Sequence, residues 1–147
     1  MSCKNVAEAI SVFQAGPMQD WFENHVVKHP TRGKIPGKVF LKEPLNLTGA
    51  EISLGSIPPG EGVPFIHTHK QNEEVYIFLT GHGEMLLDGE SHSIEPGTVF
   101  RVATRVERTW RNTGPVPLTY IVIQAKTDSL EQWTGEDGNI TGEAPWA

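Results

Sequence analysis

The sequence predicts an all-β fold, on three observations. Eleven Pro and fifteen Gly interrupt its 147 residues too often for long helices. From about Val39 to Gln124, short apolar-rich runs alternate with turn signals, as strands of a sandwich or barrel do. No stretch approaches the roughly 20 apolar residues that a membrane-crossing helix needs. The length fits one domain, read as an N-terminal arm (1–38) packing on a barrel or on a partner subunit, the β-barrel itself (39–126), and an acidic tail (127–147).

Taken in order, the arm opens with Val6–Phe13, whose apolar spacing is compatible with one or two helical turns before Gly16-Pro17. Trp21 and Phe22 follow as a pair too apolar to leave in water, so they are expected to cover the barrel or a second copy, and a homodimer is expected. Strands are expected over Lys38–Leu41, Ala50–Ile57, Glu74–Leu79, Glu84–Leu87, His92–Ile94, Val99–Val102, Thr109–Arg111 and Leu118–Gln124. Between them, Pro58-Pro59-Gly60, Gly81-His82-Gly83, Asp88-Gly89, Pro96-Gly97 and Thr113-Gly114-Pro115 supply fixed φ or tolerance of positive φ, and Asp88-Gly89 is the strongest hairpin signal. In the tail, Ser129–Trp133 reads as a turn of helix stopped by Gly135, and Trp133 and Trp146, like Trp21, as cover for an edge or an interface.

Charge and cysteine narrow the chemistry. Eighteen Asp and Glu against twelve Lys and Arg give a formal charge of −6, which disfavours nucleic acid as a partner. The single cysteine, Cys3, excludes an intramolecular disulfide and any cysteine-rich metal site. Residues 1–6 lack the apolar core of a signal peptide, and with no membrane span expected a cytoplasmic location follows.

Ligand-type side chains are densest in Phe65-Ile66-His67-Thr68-His69-Lys70-Gln71-Asn72-Glu73-Glu74-Val75-Tyr76. On an extended segment, two histidines one residue apart project to the same face and can share one cation. A carboxylate on the following strand completes a two-His, one-carboxylate set suited to Fe, Mn, Ni or Zn, with coordination positions left open. Strand parity puts Glu74, Tyr76 and Phe78 on one face and Glu73 on the other, so Glu74 is the expected ligand and Glu73 the fallback. Tyr76, Phe78 and Trp110 read as core or pocket lining, while His82 and His92 read as surface residues beside turn glycines.

The same segment resembles the first motif of the cupin superfamily: His67-x-His69, four residues, Glu74, six residues, Gly81. The motif's leading Gly falls on Glu61, between Gly60 and Gly62. The second motif is eroded: its Gly is Gly97 and its Asn is Asn112, but Ala103, Arg105 and Arg108 stand where Pro, Gly and the fourth metal ligand, a His, would be. This resemblance implies a cupin-type antiparallel β-barrel or jelly roll with short N- and C-terminal extensions, commonly a homodimer, with a divalent metal on its inner wall held by His67, His69 and Glu74. It does not choose a reaction. Arg108 is placed to point inward and needs an anionic partner; it is expected to pair with Glu74 in the metal's place, to swing away toward Glu107 or solvent, or to stay inward and hold an anionic small molecule beside the metal, and the third is favoured because Arg105 offers a second positive group. Arg108 and Tyr76 are accordingly the candidate catalytic groups. The expected function is metal-dependent catalysis on a small anionic molecule, and the alternative is a small-molecule binding or sensing domain without catalytic metal chemistry.

Overall fold

The computed structural model describes residues 2–7, 9–132 and 134–146, with residues 2–7 described in their backbone only. Among the described residues twelve strands run in chain order: β1 (Ser2–Ala7), β2 (Ile10–Gln14), β3 (Val26–His29), β4 (Gly33–Pro36), β5 (Lys38–Phe40), β6 (Glu51–Ile57), β7 (Asn72–Thr80), β8 (Gly83–Leu87), β9 (Glu90–Ile94), β10 (Val99–Val102), β11 (Arg108–Asn112) and β12 (Leu118–Lys126). The helices are single turns: α1 (Trp21–Asn24), α2 (Lys42–Leu45) and α3 (Thr134–Asp137).

The strands form a five-stranded antiparallel sheet in the order β10-β7-β12-β6-β5, a three-stranded sheet β11-β8-β9, and two hairpins, β1–β2 and β3–β4. Both larger sheets feed one core. Ile57, Tyr76, Phe78, Tyr120 and Val122 come from the first, and Met85, Ile94 and Trp110 from the second. An extended segment, residues 60–70, lies along the free edge of β11 through bridges at Gly62↔Arg111 and His67↔Arg108.

Turn chemistry acts where the sequence places it. Between β8 and β9, Asp88 and Gly89 take φ of 50° and 80°, the paired positive values of a two-residue hairpin turn. At Gly81 (φ +86°) a Cβ would stand 2.7 Å from the Pro117 carbonyl oxygen, so only glycine lets β7 turn against the start of β12.

Two helix expectations are corrected. Val6–Ala7 and Ile10–Phe13 are not helical; they belong to the β1–β2 hairpin, paired from Ser2↔Gln14 to Ala7↔Ile10, while Glu8 lies outside the described residues. Backbone pairing between two adjacent segments outweighs a weak apolar period in so short a stretch. Ser129–Gln132 is irregular and the helical turn falls instead at Thr134–Asp137, while Trp133 lies outside the described residues. Trp21 is buried against its own chain, its indole N–H donating to the Gly16 carbonyl at 3.0 Å, whereas Trp146 is 88% exposed.

Candidate metal centre

Alternation along residues 62–70 sets up the site. Val63, Phe65, His67 and His69 are half-buried while Pro64, Ile66, Thr68 and Lys70 are exposed, so the two histidines share the inward face. The segment is held by main-chain bonds: His67 exchanges N–H···O=C bonds with Arg108, and the His69 amide donates to the Thr104 carbonyl. Across from it, register places Glu74 beside Val102 and Gln124, and Tyr76 beside Phe100 and Val122, on the inner face of the five-stranded sheet. Glu73 points the other way and pairs with Arg101 at 2.9 Å. Glu74 is therefore the carboxylate that meets the histidines.

One ligand-type atom from each of His67, His69 and Glu74 lies within 4.8 Å of the others. His67 Nε2 is 3.7 Å from Glu74 Oε1, and His69 Nε2 is 3.1 Å from Glu74 Oε2. That second contact is not aligned as a hydrogen bond. Among the described residues, His67 Nδ1, His69 Nε2 and Trp110 Nε1 are buried side-chain polar atoms without hydrogen-bond partners. Trp110 is itself packed 6.3 Å from His67, ring to ring. Buried polar atoms ordinarily find partners, so an unpaired His69 Nε2 facing the Glu74 carboxylate fits a cation held between them, and the donor set fits a divalent transition metal.

The two oxygens of Glu74 have different partners. Oε1 accepts from the Tyr76 hydroxyl at 2.5 Å and from Arg108 Nη1 at 2.7 Å, while Oε2 faces His69. Burial works to raise the Glu74 carboxyl, but the close approach of His67 and His69 and the Tyr76 hydrogen bond outweigh it, holding the group well below the usual carboxylate range. Tyr76 is pushed far above its ordinary value by burial and by the Glu74 charge, so its hydroxyl stays protonated and acts as a donor.

Arg108 is fully buried. Besides Glu74 it donates from Nε to the Val106 carbonyl and from Nη2 to the carbonyls of Ala103, Thr104 and Val106, at 2.7–3.2 Å. The guanidinium thus pairs with Glu74 and ties down the turn before β11, in contrast to the expectation that it meets an anionic ligand directly. Asn112, kept from the second motif along with Gly97, is structural in its contacts: Nδ2 donates to the Ile57 and Val116 carbonyls and Oδ1 accepts the Gly114 amide.

Sequence reasoning missed three residues near this face. Phe65 shares the inward parity of His67 and stands edge-on to it at 5.9 Å. His29 and Arg32, from the tip of the β3–β4 hairpin, both lie against Phe65. The parity of Phe65 was legible from the His-x-His register; the approach of a hairpin 35 residues upstream was not.

A family model for the cupin domain matches residues 53–124. A crystallised cupin protein from Bacteroides fragilis is 41% identical, superposing at a TM-score of 0.68 over 71% of this chain and 88% of that one. A Thermotoga maritima crystal structure described as a predicted oxalate decarboxylase superposes at 0.58 over 69% of this chain and 90% of that one; at 22% identity it is alike in fold. An uncharacterized protein of Methanocaldococcus jannaschii is 32% identical over 63 residues, 43% of this chain and 50% of that protein, so the chain spans about half the length of this curated relative.

Proposed function

The chain belongs to the cupin family, and on that premise we propose that it is a metal-binding cupin acting on a small anionic molecule, with His67, His69 and Glu74 holding one Fe, Mn, Ni or Zn ion inside a barrel whose walls are the two sheets. The observation that carries this reading is the gathering of His67, His69 and the buried Glu74 carboxylate, one ligand-type atom of each within 4.8 Å of the others, with an unpaired His69 Nε2 at 3.1 Å from Oε2. When bound, the cation supplies Lewis acidity at its open coordination positions. The chain's own residues do the rest. Tyr76 and Arg108 occupy Oε1 and fix the rotation of the carboxylate, leaving Oε2 for the ion.

Charge selects the kind of ligand. Two neutral imidazoles, one carboxylate and one guanidinium sum to zero, so a divalent ion leaves the face with two uncompensated positive charges. An anionic molecule offsets them; a neutral one does not.

The test is elemental analysis of protein purified without a His tag, together with melting curves in Mn(II), Fe(II), Ni(II) or Zn(II). A ligand that binds only the folded state must raise its melting temperature, by the equivalent of about 2.7 kcal/mol at a hundredfold excess over Kd. We expect retained metal and a raised melting temperature in the wild type, and neither in Glu74→Gln. No retained metal and no rise with any of the four ions would sink the proposal.

A second reading, a small-molecule binding or sensing domain without catalytic metal chemistry, is favoured by one observation: Arg108 already satisfies half of Glu74. It predicts ligand binding that survives chelation. We also propose a cytoplasmic homodimer. Among the described residues no helix is long and apolar enough to cross a membrane, and the dimer is supported by two-stranded hairpins standing outside the larger sheets, with Ile10, Val12 and Val26 exposed on them.

A further inference from the structure

If the ligand is anionic, a cation must recognise its charge, and most of the arginines are committed. Arg101 pairs with Glu73 at 2.9 Å and Arg111 with Glu84 at 2.7 Å. Arg108 is spent on Glu74 and three carbonyls. Arg105 and Arg32 have no acidic partner among the described residues, and of these Arg32 is the one seated against the inward face. Its guanidinium carbon lies 4.9 Å over the Phe65 ring. Phe65 in turn stands edge-on to His67 at 5.9 Å, on the face that carries both histidines. Stacking uses the flat face of a guanidinium and leaves its N–H edge unspent, which is the edge that forks onto a carboxylate or phosphate.

His29 stands beside it, 6.3 Å from the same ring. Its Nδ1 accepts the backbone N–H groups of Thr31 at 3.2 Å and Arg32 at 3.1 Å. An acceptor Nδ1 puts the proton of the neutral ring on Nε2, so His29 offers a second donor there and is not poised as a metal ligand. The same two bonds fix the backbone that carries Arg32. Preorganisation of this kind lowers the ordering cost of binding.

We propose that Arg32 and His29 form an anion subsite at the rim of the metal face, receiving the distal carboxylate or phosphate of a small molecule whose other end reaches the His67, His69 and Glu74 cluster. This rests on the metal-site reading above. The ligand class it implies is a short, two-ended anion: a chelating group such as a 2-hydroxy acid at one end and a second negative group at the other.

Three probes separate the possibilities by calorimetric titration, on Mn(II)-loaded and on chelator-treated protein: lactate, with no distal anion, malate, with a distal carboxylate, and 3-phosphoglycerate, with a distal phosphate. Wild type is expected to prefer malate or 3-phosphoglycerate over lactate by about tenfold or more, and which of the two wins identifies the distal group. Arg32→Ala should erase that preference while leaving lactate binding, Mn(II) affinity and melting temperature unchanged, since the side chain is exposed. Arg32→Lys should restore part of it, because charge returns without the fork. A preference that persists in Arg32→Ala, or no preference in wild type, overturns the subsite. Failure of Mn(II) to bind wild type would instead overturn the metal reading, and the subsite would then stand or fall on the same three probes with chelated protein.

Discussion

Glu74 shows how one carboxylate can serve structure and chemistry together, because its oxygens are divided between them. Oε1 is saturated by Tyr76 and Arg108; Oε2 is turned to His69. Its folded-state titration lies well below the ordinary 4.5, so its contribution to stability is complete above that value and is lost as pH falls through the depressed one. Acid melting of chelated protein should therefore be less steep below about pH 4.5 in Glu74→Gln than in wild type. The same variant should melt lower at pH 7, since a buried Arg108 left without its anion costs on the order of 3–5 kcal/mol. Arg108→His makes the reciprocal test. It releases Glu74 Oε1 from the guanidinium and supplies a third imidazole as a fourth ligand, so metal affinity should rise, while metal-free protein loses the ties from the guanidinium to Ala103, Thr104 and Val106 and melts earlier. Melting curves with and without chelator read both effects, and unchanged values in both would mean that Arg108 exerts no charge effect on the site.

At the scale of elements, two inward positions limit how the sheets can be changed. Gly81 ends β7 at φ +86°, where a Cβ would also stand 2.9 Å from Leu118 Cα. Gly81→Ala should cost roughly 2 kcal/mol or more in chemical denaturation, with no change in metal affinity beyond what lost stability causes. On β5, register aligns Lys38 with Gly55, and Gly55 with Tyr120, whose ring lies where a Cβ on Gly55 would be. Lys38 therefore faces inward at the sheet edge, its ammonium over the Phe40 and Tyr120 rings, and among the described residues it has no ion pair. Burial pushes it down to about 8 from 10.5 despite the pull of Glu74 and Glu51. Below pH 8 both folded and unfolded chains hold the proton and the burial penalty is felt in full; between 8 and 10.5 the unfolded chain holds more, so stability rises with pH. Lys38→Met should stabilise by on the order of 1–3 kcal/mol at pH 7, the gain shrinking toward pH 10.5. A gain that does not vary with pH would refute this account.

For the whole molecule, light scattering should give twice the chain mass, and replacing exposed Ile10 and Val12 by Glu should halve it if the β1–β2 hairpin carries the contact. The parts of this fold that were legible in the sequence are those decided locally: period-two alternation around His67, His69 and Glu74, and the Asp88-Gly89 turn. What was not legible was decided at a distance. Val6–Ala7 and Ile10–Phe13 became parts of two strands because Ile10–Gln14 lies against Ser2–Ala7. Arg108 closed on Glu74 because the carbonyls of Ala103, Thr104 and Val106 gather around its remaining N–H groups, and Arg32 reached Phe65 through a hairpin with no local signal pointing there. One packing detail gives the core an optical property. Trp110 sits 5.0 Å from Tyr76, 5.6 Å from Tyr120 and 6.3 Å from His67, ring to ring. Light absorbed by either tyrosine passes to the indole, and the indole lies within quenching range of any open-shell ion that the histidines hold. Emission excited at the tyrosine band should then dim as Ni(II) is added and recover with chelator, so the protein carries its own fluorescent gauge of occupancy.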